Sequence, residues 1–133
     1  MTPGEVQAFG TRTFDAPLAA TFEATVGALQ VLGYEIAVAN PDKGAVKTQR
    51  KLLRSTGQGV SVGYTTSINV VHVSRQYFLN LTAVGDARTQ VVAEPKIFVG
   101  DDDISGGEIW ALEGPQGERA LWEKLFAEIQ SNL

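Results

Sequence analysis

Apolar side chains recur every three or four residues between Asp15 and Gly33, the spacing of one face of a helix. This stripe consists of Leu18, Phe22, Val26, Leu29 and Leu32. Asp15 is expected to cap the N-terminus of the helix, and Pro17 fits its first turn, where a missing N–H costs little. Gly33 adopts a left-handed conformation without steric cost, so it can end the helix. We therefore predict an amphipathic helix from Asp15 to Gly33.

Alternation of apolar and polar residues predicts strands on both sides of this helix. The predicted strands are Thr11–Phe14, Tyr34–Val38, Ala45–Arg50, Val60–Val84 and Thr89–Val99. Turn chemistry at Asn40–Gly44 makes the second and third of them a hairpin, and Gly85-Asp86-Ala87 supplies a second turn. Pro95 lacks an N–H donor, so we expect it at a bulge or at a sheet edge.

A second apolar stripe follows Gly114-Pro115 and predicts a helix that reaches nearly to Leu133. Its members are Leu121, Trp122, Leu125, Phe126 and Ile129. The order strand, helix, several strands, helix, with short links, is typical of a single domain, which we assign to residues 1–133. The predicted fold is α+β, an antiparallel sheet of four to six strands packed against two helices.

Composition narrows the classes of function. The chain has 133 residues, 44% of them apolar and 20% charged, as in ordinary globular proteins. A net charge of −4 argues against binding to nucleic acid through general electrostatics. There is no cysteine, which excludes disulfides, thiolate nucleophiles and cysteine-based zinc sites. No apolar run is long enough for a transmembrane helix, so none is predicted.

Gly59 to Gly63 read GVSVG and match the G-x-S-x-G pattern of a serine nucleophile elbow. That motif requires a strand, a strained turn at the serine and then a helix, with an acid and then a histidine later in the chain. Here a β-pattern follows Ser61, and the only histidine, His72, precedes the next acid, Asp86. We interpret Ser61 and His72 as strand residues and predict no catalytic residue, so the protein is expected not to be an enzyme.

The acidic stretch from Gly100 to Glu108 partly matches a calcium-binding loop. Calcium loops take oxygen ligands at their first, third and fifth positions, a glycine at the sixth and a glutamate at the twelfth. The corresponding residues here are Asp101, Asp103, Ser105, Gly106 and Leu112. Because Leu112 replaces the bidentate glutamate and a strand precedes the loop, we expect a solvated acidic turn, with no metal and no cofactor assigned.

Four cations lie close together in the stretch KTQRKLLR. They are Lys47, Arg50, Lys51 and Arg54. Such residues can contact an anionic surface or a partner, and they also occupy the solvent side of edge strands, where they prevent edge-to-edge pairing. Both interpretations stay open at the level of the sequence.

Residues 12–50 and the ending ALWEKLFAEIQSNL resemble small bacterial cell-envelope lipoprotein domains. These domains in turn resemble the helix-grip modules of BamC, a lipoprotein of the outer-membrane β-barrel assembly machinery. The matching positions are Arg12, Phe14, Asp15, Pro17, Phe22, Ala28, Leu29, Leu32, Gly33, Tyr34 and Gly44. The resemblance implies a β-α-β-sheet-α domain anchored through an N-terminal lipidated cysteine. It places the protein in the bacterial periplasm or at the outer membrane if an export signal has been removed, and otherwise in the cytoplasm.

Together these observations favour a non-catalytic binding or scaffold domain that recognises a protein partner. The contact would use a sheet edge, the basic strand or the acidic loop. The alternative is a carrier of a small apolar ligand or lipid, with a cavity between the sheet and the C-terminal helix. The aromatic residues expected near that cavity are Tyr77, Phe78, Trp122 and Phe126.

Overall fold

The structure is a computed structural model that describes residues 3–62, 65–104 and 117–133, with the backbone alone for 54–62 and 65–71. Its helices and strands follow one another closely along the chain. They are α1 Pro3–Phe9, β1 Thr11–Phe14, α2 Leu18–Val31, β2 Ile36–Asn40, β3 Ala45–Thr48, β4 Lys51–Val62, β5 Thr65–Ala83, β6 Thr89–Val99, β7 Asp102–Asp103 and α3 Glu118–Ser131.

The described strands form one antiparallel sheet in the order β1-β6-β5-β3-β2. β4 pairs with the N-terminal half of β5, and β7 pairs with the end of β6. The predicted α+β class is therefore confirmed. The described residues contain seven strands and three helices, more than the four to six strands and two helices expected, because β7 and α1 are too short to give a periodic signal.

The first long helix, α2, begins later than predicted. Its N-terminal cap is Pro17, in an extended conformation and with no side-chain hydrogen bond. Asp15 does not cap the helix, because its Oδ1 accepts a hydrogen bond of 2.8 Å from Arg88 Nε. The predicted end is confirmed: Gly33 has φ +89°, and the amides of Gly33 and Tyr34 donate to the carbonyls of Gln30 and Leu29.

The predicted bounds are confirmed for one strand and wrong for another. β6 has the predicted bounds, whereas the predicted run Val60–Val84 covers both the end of β4 and all of β5. Pro95 lies at an edge, as expected. The amide of Ala93 donates to the Gly10 carbonyl, on the side of β6 away from β5. Because alternate residues of a strand direct their amides to the same side, the Pro95 nitrogen also points away from β5. On that side of β6, Pro95 lies between the residues that pair with β1 and those that pair with β7.

One face of the sheet carries the core, with α2 and α3 packed on it. Buried members from both layers include Phe14, Phe22, Leu29, Val46, Tyr77, Leu79, Val91, Trp122, Leu125, Phe126 and Ile129. The Trp122 indole also donates a hydrogen bond of 2.9 Å to the Ala93 carbonyl. Burial of four large side chains from α3 contributes roughly 10 kcal/mol before conformational entropy is subtracted. No helix among the described residues packs on the opposite face of the sheet, which we call the open face.

Candidate functional site on the open sheet face

The open face is defined by the alternation of side chains along β5. Val73, Tyr77 and Leu79 are buried on the helix side, whereas the intervening Gln76 and Phe78 lie on the opposite side and are half-buried. Residues that pair across an antiparallel ladder share a face. The register therefore also shows which residues of β3 and β6 lie on the open face.

Phe78 is the centre of this surface. It pairs with Lys47 on β3 and with Glu94 on β6. Lys47 Nζ lies 5.5 Å from the centroid of the Phe78 ring, and Lys96 Nζ lies 5.0 Å from it. Ammonium groups at these distances are attracted to the ring by about 0.5–1 kcal/mol each at exposed sites. Three strands thus bring two lysines onto one aromatic ring.

A second ring on the same face carries an arginine. Phe98 pairs with Ser74 and is buried, with the Arg50 guanidinium stacked on it: the guanidinium carbon lies 3.7 Å from the ring centroid. The Nη1 atom of Arg50 also lies 3.3 Å from Asp101 Oδ1. Asp101 is fully exposed and follows Gly100, whose φ of +61° makes the tight turn between β6 and β7.

Exposed apolar side chains flank these rings. Val38 pairs with Lys47 and is 50% exposed, and Leu52 pairs with Ser74 and is 56% exposed. We name the whole surface the basic–aromatic face. Its members are Val38, Lys47, Arg50, Leu52, Phe78, Lys96 and Phe98. Chemically, it offers cations for carboxylates together with apolar area for side chains beside them.

The structure divides the basic stretch of the sequence between the two sides of the sheet. Lys47 and Arg50 belong to the basic–aromatic face. Lys51 instead reaches α2, where its Nζ donates a hydrogen bond of 2.8 Å to the Leu32 carbonyl and lies 4.9 Å from the Tyr34 ring centroid. The Arg54 side chain lies outside the described part of the chain. The sequence does not indicate Lys96 or Phe98 as site residues, and it groups Phe78 with the aromatics of the expected cavity. The register that brings these residues together joins distant segments.

A buried ion pair on the helix side of the sheet is the second polar cluster. Arg75 Nη2 donates to Glu118 Oε1, and the two residues are 4% and 1% exposed. The rings of Tyr34 and Tyr77 contact each other, with their centroids 5.2 Å apart. Both tyrosines interact electrostatically with Arg75. The pair joins the first turn of α3 to β5. Its burial makes it a structural link rather than a surface that a partner could contact.

Burial is the main cause of the shifted pKa values of Glu118, Tyr34 and Tyr77 in this cluster. It raises the pKa of Glu118, and the nearby Arg75 opposes part of that rise. Burial likewise raises the pKa of Tyr34 and, more strongly, that of Tyr77. The sequence gives one signal for the cluster: Arg75 falls at the same parity as Val73, Tyr77 and Leu79, where an exposed cation does not belong.

Ser61 lies in an extended strand, as predicted, and not at an elbow before a helix. It pairs with Thr66, while His72 pairs with Ser55 at the other end of the same ladder. Six residues of β5 separate the two positions, roughly 20 Å along an extended strand. The backbone therefore keeps Ser61 and His72 apart.

The acidic loop is only partly described. Asp102 and Asp103 form β7 against Val99 and Phe98, and Asp101 pairs with Arg50. Ser105, Gly106 and Leu112 lie outside the described residues. Within residues 3–62, 65–104 and 117–133, no group of three or more His, Cys, Asp or Glu side chains is placed to hold a metal ion.

The four aromatic residues expected around one cavity do not share a site. Trp122, Tyr77 and Phe126 are packed in the core, with 0–2% of their surface exposed. Phe78 lies on the other side of the sheet, because neighbouring residues of a strand point to opposite faces. An open groove of about 650 Å³ lies elsewhere, between α2 and the end of α3, where Glu23, Gly27 and Asn132 are among its lining residues.

No protein-family model and no curated protein matches the chain. Solved structures with a similar arrangement include a DUF4468 family protein from Bacteroides ovatus, with a TM-score of 0.44, 8% identity, and coverage of 92% of this chain and 83% of that chain. A TBP-like protein from Parabacteroides distasonis has a TM-score of 0.44 and 12% identity over 92% of this chain and 89% of its own. A conserved protein from Geobacillus kaustophilus has a TM-score of 0.40 and 11% identity over 91% and 90%. At these scores the likenesses carry no argument about residues or partners. No described helix is both long and apolar enough to cross a membrane.

Proposed function

We propose that the protein is a non-catalytic binding domain whose basic–aromatic face holds an acidic, partly apolar segment of a protein partner. The observation that carries this proposal is the pair of lysines over Phe78. In the part of the chain that is described, neither Lys47 nor Lys96 lies within ion-pair distance of a carboxylate. Two cations held over one ring are a ready site for an incoming anion.

Arg50 illustrates the chemistry of such a contact within the chain itself. Its guanidinium stacks on Phe98 and meets the carboxylate of Asp101. A carboxylate from a partner would meet Lys47 and Lys96 over Phe78 in a similar way. Val38 and Leu52, both half-exposed beside the rings, would take apolar side chains of the same segment. The face therefore suits a segment that alternates acidic and apolar residues.

Charge favours a protein segment over a nucleic acid. The whole chain carries −4, and the exposed Glu94 pairs directly with Phe78 on the face. Each phosphate of a nucleic acid would meet this negative charge, and general phosphate binding requires an excess of clustered cations. A peptide can place an apolar side chain beside Glu94 and its carboxylates beside the lysines.

The test is the affinity for a synthetic peptide that alternates glutamate with leucine and phenylalanine, measured by fluorescence anisotropy at low salt. We expect the double substitution Lys47→Glu and Lys96→Glu to weaken binding about tenfold or more, the equivalent of about 1.4 kcal/mol. The matched control is Lys43→Glu with Lys124→Glu, which makes the same change of charge at exposed positions of the β2–β3 turn and of α3. The control should keep most of the affinity, and salt should weaken binding to the wild type.

Two outcomes would contradict the proposal. One is equal loss of affinity in both double variants, which would indicate attraction by net charge alone. The other is tighter binding of a single-stranded oligonucleotide than of the acidic peptide, with the same dependence on Lys47 and Lys96. A peptide with lysine in place of glutamate should not bind.

We also propose that the domain acts at the bacterial cell envelope. This proposal rests on the resemblance of residues 12–50 and of the final helix to envelope lipoprotein domains. Fractionation of cells that express the natural gene in its own host, followed by detection with an antibody, tests this placement. Recovery in the periplasm or with outer membranes supports it, and recovery in the cytoplasm alone contradicts it.

A further inference from the structure

The N-terminal part of β5 and the β4 residues from Ser55 to Val62 form a two-stranded ribbon that extends beyond the body of the sheet. β6 pairs with β5 only from Val73 to Ala83, so Thr65–Val71 pairs with β4 alone within residues 3–62, 65–104 and 117–133. Among the described strands, β4 pairs with no strand other than β5. The ribbon projects by roughly 20 Å, since seven extended residues rise by about 3.3 Å each.

The composition of the ribbon differs from that of the rest of the chain. The 20 residues from Ser55 to Ser74 contain no Asp, Glu, Lys, Arg or Pro, although 20% of all residues are charged. Charges and prolines are the usual protection of an edge strand against pairing with another chain. An isolated two-stranded ribbon is also only marginally stable in water, so a further strand would stabilise this one.

Backbone geometry shows which groups of β4 point away from β5 and have no strand partner in the described part of the chain. The amides of Tyr77 and Leu81 on β5 point towards β3, as their bonds to Thr48 Oγ1 and to the Gly44 carbonyl show. Odd-numbered residues of β5 therefore direct their N–H and C=O groups towards β3 and β4. The β4 residues paired with them, such as Gln58 opposite Asn69, direct theirs back towards β5. The remaining β4 residues direct N–H and C=O outwards: Ser55, Gly57, Gly59 and Ser61.

We propose that this outer edge of β4 pairs antiparallel with β4 of a second copy of the chain, which gives a two-fold dimer with a continuous sheet. Antiparallel pairing of a strand with itself is self-complementary, as a two-fold interface requires. The absence of charge favours a second copy in particular. Two chains that each carry −4 repel one another, and the uncharged ribbon is a segment where they can meet without opposing like charges. The inference does not depend on the function proposed for the basic–aromatic face.

Sedimentation velocity over a range of concentrations tests the dimer. Gly59→Pro and Ser61→Pro each remove an outward N–H while leaving the bonds between β4 and β5 in place. The matched controls, Gly59→Ala and Ser61→Ala, retain that N–H. We expect the wild type and both alanine variants to dimerise, and each proline variant to raise the dimer dissociation constant at least about tenfold, with an unchanged far-UV circular dichroism spectrum.

A further variant keeps the test decisive if the proline variants fail to fold. Gln58→Lys removes no backbone donor but brings like charges to the two-fold contact, so it should weaken the dimer at low salt and recover on addition of salt. Wild-type protein that stays monomeric at all concentrations would overturn the inference. A dimer that is unaffected by both the proline and the lysine substitutions would overturn it as well, as would a ribbon that pairs only with a strand of a different protein.

Discussion

Gly44 is the residue at which the β2–β3 turn meets β5. Its φ of +62° lies in the left-handed region, where residues with a side chain are strained. The Leu81 amide donates to the Gly44 carbonyl at 2.7 Å, and a Cβ added to Gly44 would lie 2.1 Å from the Leu81 carbonyl oxygen. The need for glycine here therefore has a conformational part and a steric part.

Gly85 separates these two parts experimentally. Its φ is +77°, but a Cβ added there would meet no atom within 4 Å. We expect Gly85→Ala to lower the free energy of unfolding by about 1 kcal/mol, the left-handed strain alone. Gly44→Ala should cost at least about 2 kcal/mol, since β3 must also move away from β5. Urea denaturation followed by circular dichroism measures both, and equal losses would contradict the close approach.

At the scale of elements, α3 is held to the sheet by apolar burial and by the Arg75–Glu118 pair. Both charges of this pair are buried, so each is tolerated chiefly because of the other. Trp122 and Phe126 lie one and two turns further along α3 and are fully buried. Substitution of the pair therefore removes a contact only at the N-terminal end of α3, and the apolar contacts along the rest of the helix remain.

Substitution of one partner of the pair is expected to cost more than substitution of both. Arg75→Met leaves the Glu118 carboxylate buried without a cation, which typically costs about 3–5 kcal/mol. The double variant Arg75→Met with Glu118→Leu should be more stable than Arg75→Met alone.

The same pair gives a prediction for pH. Burial already raises the pKa of Glu118 above its ordinary value of 4.5, and without Arg75 the rise should be larger. A folded state with the higher pKa binds more protons than the unfolded chain, so the stability of Arg75→Met falls as pH rises above about 4.5. Its deficit against the wild type should be smaller at pH 4 than at pH 8 in chemical denaturation. A deficit that grows on acidification would contradict the buried pair.

At the scale of the whole molecule, the sequence predicts elements better than it predicts their neighbours. The apolar stripes of α2 and α3, the bounds of β6 and the turn at Gly33 follow from local periodicity and glycine chemistry. The boundary between β4 and β5 was missed because Val60–Val84 is one continuous β-rich run.

The candidate site was harder to predict because it is assembled by pairing between distant segments. Lys47, Phe78 and Lys96 come from three strands, and only the register of β3, β5 and β6 brings them together. The sequence indicated the basic stretch, but it could not separate Lys47, on the open face, from Lys51, which reaches back to α2. Long-range register therefore determines the surface that the proposed function requires.

NMR titration of the labelled protein with the acidic–apolar peptide tests the basic–aromatic face most directly. We expect the ring signals of Phe78 and the ε-methylene signals of Lys47 and Lys96 to shift with added peptide. The rings of Tyr77 and Phe126, on the helix side of the same sheet, should stay in place. Shifts confined to the groove between α2 and α3, or no shift at Phe78 when the peptide is bound, would contradict the account.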